Sequence, residues 1–160
     1  MERTGVVYKT YVEILKRELV CAMGCTEPIA IAYCAAVARK ALGMLPSEID
    51  VAASGNIIKN VKSVIVPNTG GLRGIEAAAA IGALAGPDFP ALAHRFPVSA
   101  AESEFLLDIE VTVRAGGHFA TVRAVQEHTN IVLVETDAGV LFSKDPDEDT
   151  GKDEGAPDYT

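Results

Sequence analysis

The chain has 160 residues, 49% of them hydrophobic, and carries a net charge of −8. That length makes one domain able to bury a sizeable core, and the acidic balance excludes nucleic acid and an anionic membrane surface as partners, because phosphates are held by clustered Lys and Arg. Alanine and valine dominate the apolar residues while aromatics are only 6%, a composition suited to helices packed closely through small side chains.

The N-terminal Met1-Glu2-Arg3-Thr4 leads into a charged segment and not into the apolar core of a secretory signal. No run approaches the roughly 18 apolar residues of a membrane span, so the chain reads as cytoplasmic. From Val6 to Val20, apolar residues at 7, 11, 14, 15 and 19 alternate with charges, the pattern of an amphipathic helix. Three cysteines, at 21, 25 and 34, are odd in number and fit free thiols in a reducing compartment. Their spacing matches no paired C-x2-C zinc site.

Gly24-Cys25-Thr26-Glu27-Pro28 sets a thiol against the start of a second, nearly all-apolar helix running from Pro28 to Leu42 and ended by Gly43. Thr26 suits the N-cap, Glu27 complements the positive end of the helix dipole, and Pro28 is tolerated early in the first turn. A thiol placed there is stabilised as thiolate and serves as nucleophile, base or metal ligand. It serves equally well as a small apolar filler of the turn. Cys34, among Ala and Ile, reads as core.

Ile49 to Ala53 is a short strand candidate. Ser54-Gly55-Asn56-Ile57-Ile58-Lys59-Asn60 follows, and then Val64-Ile65-Val66-Pro67-Asn68-Thr69-Gly70-Gly71-Leu72-Arg73-Gly74. The latter reads as an apolar strand, a Pro-Asn-Thr-Gly-Gly turn and an alanine-rich helix from about Ile75 to Ala85. A glycine-containing loop between strand and helix presents backbone N–H groups to an anion. It lacks the ending of a P-loop and the spacing of a dinucleotide fingerprint, so a carboxylate or small phosphate fits better, with Lys59, Lys62 and Arg73 near enough to add charge. The alternative is that the glycines only permit a tight turn.

The C-terminal third changes period. Leu107 to Arg114, Phe119 to Val125, Ile131 to Val134 and Val140 to Phe142 form an antiparallel set joined at Ala115-Gly116-Gly117 and Asp137-Ala138-Gly139. Between its middle strands lies the polar Glu127-His128-Thr129-Asn130, where His128 reads as a general base, a substrate hydrogen-bonder, or a structural surface residue. His94 and His118 carry less signal. Lys144 to Thr160 holds seven acidic and two basic residues and reads as a disordered, solubilising tail. The expected fold is α+β: buried alanine-rich helices followed by a mostly antiparallel sheet of three to four strands over 1–143, with the tail over 144–160.

Taken together, the Gly24–Pro28, Ser54–Asn60 and Val66–Gly71 motifs, Gly74-Ile75-Glu76-Ala77-Ala78, and His128-Thr129-Asn130-Ile131-Val132 resemble the L-cysteine desulfidase family, itself similar to the alpha chain of iron–sulfur L-serine dehydratases. The resemblance covers residues 10 to 135. It implies a lyase without pyridoxal phosphate, carrying a 4Fe–4S cluster and converting cysteine to pyruvate, ammonia and sulfide, or serine to pyruvate and ammonia. By motif position Cys25 would be a cluster ligand or a catalytic residue, joined in catalysis by Lys59 and His128. Asn56, Asn68, Thr69, Gly70, Gly71, Thr129 and Asn130 would surround a small amino-acid substrate, the Asn68–Gly71 turn holding its carboxylate. Members of that family are more than twice this length and take further cysteine ligands from their second half. The resemblance therefore implies an N-terminal half or subunit whose cluster is completed by a missing C-terminal half or a partner subunit. Apolar surface left uncovered would favour a homo-oligomer. A serine dehydratase-type subunit and a non-catalytic amino-acid-binding or remnant domain are the alternatives.

Overall fold

The structure of the protein, a computed structural model, describes residues 5–18, 24–84 and 97–147. The elements in chain order are α1 (Val6–Glu18), α2 (Thr26–Leu42), β1 (Glu48–Ala53), α3 (Gly55–Val61), α4 (Gly74–Leu84), β2 (Val98–Ala100), β3 (Asp108–Ala115), β4 (His118–Val125), β5 (Ile131–Thr136) and β6 (Gly139–Ser143). The class is α+β, as the sequence indicates. Among the described residues, however, the sheet has six strands, in the order β2-β1-β3-β4-β5-β6. β1 joins the C-terminal meander by pairing antiparallel with β3, and β2 adds parallel to β1 at the edge. Three residues of Val-Ser-Ala carry no alternation long enough to announce β2.

Alternation along the strands decides which face is covered. Val51, Val111, Val122 and Val134 stand in register across four strands. With Ile49, Ala53, Ile109, Val113, Ala120 and Ala124 they form the face turned to the helices, almost all of it fully buried. The other face is polar. There Arg114 pairs with Asp50, the Thr112 and Thr121 hydroxyls meet at 2.8 Å, and Arg123 grips Asp108 with two hydrogen bonds of 3.0 and 2.7 Å. Burial works to raise the Asp108 pKa, but the Arg123 guanidinium and the Ser103 hydroxyl overcome it and hold the carboxyl below its ordinary value.

α2 lies on the buried face through Ile31, Cys34, Ala35 and Ala38, each wholly inaccessible, and packs on β3 and β4. α4 packs beside it and against β1. The two helices meet so closely that a Cβ on Gly82 would stand 2.0 Å from the Ala32 carbonyl oxygen. No side chain fits there. This is the use to which the alanine-rich composition is put: small residues on both helices bring the backbones together and bury both in one layer.

α1 shows the amphipathic spacing read from the sequence, yet Val7, Tyr11, Ile14 and Leu15 are exposed. Val64–Val66 does not form a strand of the sheet; it makes an isolated bridge, Ile65 to Arg73, across the base of the following turn. α3 replaces the unassigned stretch after Ser54. Of the expected disordered tail, residues 144–147 are described and held: the Lys144 N–H bonds the Val132 carbonyl at 3.0 Å, and Gln126 donates to Asp147 at 2.6 Å. Residues 148–160, together with Cys21 and His94, lie outside the described residues. Among the described residues no helix is long and apolar enough to cross a membrane.

Gly82→Ala forces the added methyl into the Ala32 backbone and must part α2 from α4, a loss of about 1–3 kcal/mol as in other overpacked cores. Urea unfolding will show it as a lower midpoint at unchanged slope; a midpoint equal to the wild type would refute the close approach.

Candidate functional site

α2 begins one residue earlier than Thr26 would allow as its cap. Cys25 occupies the N-cap position with extended backbone (φ −66°, ψ 131°), and its side chain makes no capping bond to the backbone. The thiol turns to the first helical turn and donates to Glu27 Oε2 at 2.7 Å. Asn60 Nδ2 donates to the other oxygen, Glu27 Oε1, at 3.4 Å.

α3 delivers that asparagine. Ser54, before its first turn, is buried and tied to the segment ahead of β3 by Oγ donating to the Leu106 carbonyl at 2.7 Å. Ile57 and Val61, four residues apart, enter the core. Asn56 and Lys59 are thereby left exposed, and Asn60 is half-buried toward Glu27. His128, in the β4–β5 connection, comes near enough to Glu27 for its imidazole to favour the ionised carboxyl.

The turn 67–71 abuts the same place, since a Cβ on Gly24 would lie 3.6 Å from the Pro67 ring. The turn is closed by Val66 N–H to Leu72 C=O at 2.9 Å. Thr69, buried, is spent on holding it: its hydroxyl meets the Val66 and Leu72 carbonyls at 2.8 and 3.3 Å. Asn68, Gly70 and Gly71 have φ of 62°, 68° and 98°, which glycine adopts freely and asparagine tolerates. All three are exposed at the tip.

Three of the motif segments therefore meet at one carboxylate, through Cys25, Asn60 and His128, and the 67–71 turn lies against Gly24 beside them. Asn130 lies beside them in a structural part, its Nδ2 donating to the Val125 carbonyl at 3.0 Å and bracing the connection that carries His128. Thr129 is exposed and lines, with Glu127, Asn130, Ile131, Val134, Phe142 and Lys144, an open cleft of about 360 Å³ beginning on either side of His128.

The electrostatics reverse one expectation. The hydrogen bond to Glu27, with burial second, pushes the Cys25 thiol above its ordinary 9.0, while the same bond draws the Glu27 carboxyl below its ordinary 4.5 against the opposing effect of burial. At neutral pH the pair is a neutral thiol on a carboxylate, not the thiolate that the helix N-terminus alone would favour. Cys34 is wholly buried and raised by burial to about 12, so it is core. Glu27 and Asn60 were legible only as residue types. The available signal was the Cys-x-Glu spacing at a helix start, which puts an N-cap side chain within reach of the first turn.

The chain is similar to a UPF0597 protein of Desulfitobacterium hafniense, 44% identical over an alignment of 161 positions that covers 89% of this chain and 37% of the relative. It is also similar to a UPF0597 protein of Treponema denticola, 42% identical over 86% of the chain and 36% of the relative. A UPF0597 protein of Finegoldia magna is 63% identical over 78 residues, 49% of the chain and 19% of the relative. The chain spans little more than a third of the length of the first two relatives. No family model matches it, and no solved structure does.

These relatives correct the family drawn from the motifs. At 36–44% identity over most of the chain they are named UPF0597 proteins and not cysteine desulfidases or serine dehydratases. The motifs misled because strings of Gly, Asn, Thr and Pro are what tight turns and helix starts require in any fold.

Glu27→Gln removes the charge that keeps the thiol protonated. The Cys25 pKa then falls, and alkylation by iodoacetamide at pH 8, read at Cys25 by peptide mass spectrometry, should quicken on the order of threefold to tenfold. An unchanged rate would show that Glu27 does not hold the thiol proton.

Proposed function

We propose that this chain supplies the acid–base part of an amino-acid lyase site, acting on L-cysteine or L-serine and completed by further polypeptide. The observation that carries the reading is the convergence of Cys25, Asn60 and His128 on the Glu27 carboxylate from three separate stretches of chain. Polar groups brought together in this way, with the pKa values of two of them displaced in opposite directions, mark a functional site more often than a structural one.

A β-elimination needs a base for the Cα proton and a donor for the leaving group. Glu27, kept ionised, takes the proton as the electron pair forms the Cα–Cβ double bond. Cys25, whose proton is already shared, gives it to the departing sulfide or hydroxide. The aminoacrylate left behind tautomerises to an imine, and hydrolysis by one water yields pyruvate and ammonia. Lys59 and Asn56 on the exposed side of α3, with the Asn68–Gly71 turn, suit the substrate carboxylate. The proton taken by Glu27 passes across their hydrogen bond to the Cys25 thiolate, which restores both groups, and His128 favours the ionised carboxyl.

The described residues do not by themselves fit a 4Fe–4S cluster. They contain no group of three or more His, Cys, Asp or Glu side chains arranged for a metal ion, and at this site they offer one thiol. A ligand role for Cys25 requires loss of the proton that Glu27 now accepts, and the remaining thiolates must come from other polypeptide. The free thiols of Cys25 and Cys34 suit a reducing cytoplasm.

The test is anaerobic co-expression of the chain with the remaining portion of the Desulfitobacterium relative, supplied with iron and sulfide. Sulfide and pyruvate are then assayed from L-cysteine, and pyruvate from L-serine. One of the two amino acids should be consumed, and Glu27→Gln should lower kcat on the order of 10² to 10⁴-fold. Consumption of neither, or full activity in Glu27→Gln, would overturn the assignment; binding without turnover would make this an amino-acid-binding domain.

A further inference from the structure

Among the described residues the sheet ends on β6, which pairs there with β5 alone. Its central residues are apolar and uncovered: Val140 is 58% exposed, Leu141 62% and Phe142 45%. The opposite edge is blunted by the brevity of β2, three residues long, whereas β6 runs to five residues. An accessible apolar edge strand is a template for another strand and is normally covered.

The exposure extends inward. Phe142 pairs with Val134, which continues the buried row Val51, Val111 and Val122. The core face of the sheet thus runs on past α2. Ile131, Val134 and Phe142 line the cleft of about 360 Å³ together with Glu127 and Lys144, which carry opposite charges. The cleft is lined in part by Glu127 and Thr129, the chain neighbours of His128.

We propose that β6 and the cleft it shares with β5 are the docking surface for the polypeptide that makes up the rest of the longer relatives. Those relatives carry more than half of their length outside the stretch matched here, which is enough chain for a complete further domain. A strand of that polypeptide adds to β6, its apolar side chains enter the cleft, and its neighbouring residues reach the site beside His128. A second copy of this chain is the less suitable occupant, since two molecules of charge −8 repel. The inference rests on the reading that the site is completed by further polypeptide, but its test does not depend on activity.

The portion of the Desulfitobacterium relative outside the matched stretch is expressed as a separate polypeptide together with this chain. Complex formation is followed by light scattering, and amide exchange is measured over 139–143. The expected result is a one-to-one complex with exchange in β6 slowed at least tenfold. Leu141→Lys and Phe142→Glu, both at exposed positions, should weaken binding at least tenfold while each chain alone melts as the wild type does. Cys25→Ala should bind as tightly as wild type, which separates docking from chemistry. No complex, a complex that leaves β6 exchange unchanged, or protection of β6 by self-association of the chain alone would each overturn the proposal.

Discussion

Everything at the candidate site depends on the seating of α2 on the sheet and against α4 beside it. Its sheet-facing side chains are Ile31, Cys34, Ala35 and Ala38, all buried, and on the α4 side the backbones close to a distance that admits only glycine at 82. A helix held on two sides by small residues has little freedom to slide or rotate, because any shift drives a backbone into a neighbour. Its N-terminus is consequently fixed against the 67–71 turn and the β4–β5 connection. Cys25 and Glu27 inherit that position, and the stretches carrying Asn60 and His128 are brought to it by the core contacts of Ile57 and Val61 and by the brace that Asn130 provides.

Charge then decides the chemical state of the cluster. A thiol at a helix N-cap is ordinarily activated by the dipole. Here a carboxylate two residues on, at the same helix end, competes for the thiol proton at 2.7 Å and reverses the outcome. The helix terminus stabilises the negative charge on Glu27 in place of Cys25, and Asn60 and His128 add to the preference. The resulting pair is a proton donor beside a proton acceptor, both part-buried, which is a more useful arrangement for moving a proton than a lone thiolate.

The extent to which this was legible in sequence follows from physical range. Strand alternation over eight residues in β3 and β4 identified the meander and its covered face, and the apolar run after Pro28 identified a buried helix, because these patterns are long. β2, three residues long, had no period to show. α3 was hidden by its Ile-Ile pair and seven-residue length, and Val64–Val66 looked like a strand although only Ile65 pairs, with Arg73. The site residues Cys25 and His128 were visible as chemistry-bearing types in polar or glycine-marked stretches. Glu27 was read only through the helix dipole, since its role is set by Asn60, 33 positions away, and by the fold that joins them. Lys59, Asn56 and Asn68 are exposed, and the hydrogen bonds that define the cluster pass through Asn60 instead.

Glu27 as the shared acceptor of the cluster can be followed by carbon-13 NMR titration of its side-chain carboxyl. A midpoint below the ordinary 4.5 is expected in the wild type, moving upward in Cys25→Ala and again in Asn60→Ala. A midpoint at the ordinary value, indifferent to both substitutions, would contradict it, leaving the four segments as neighbours without a common function.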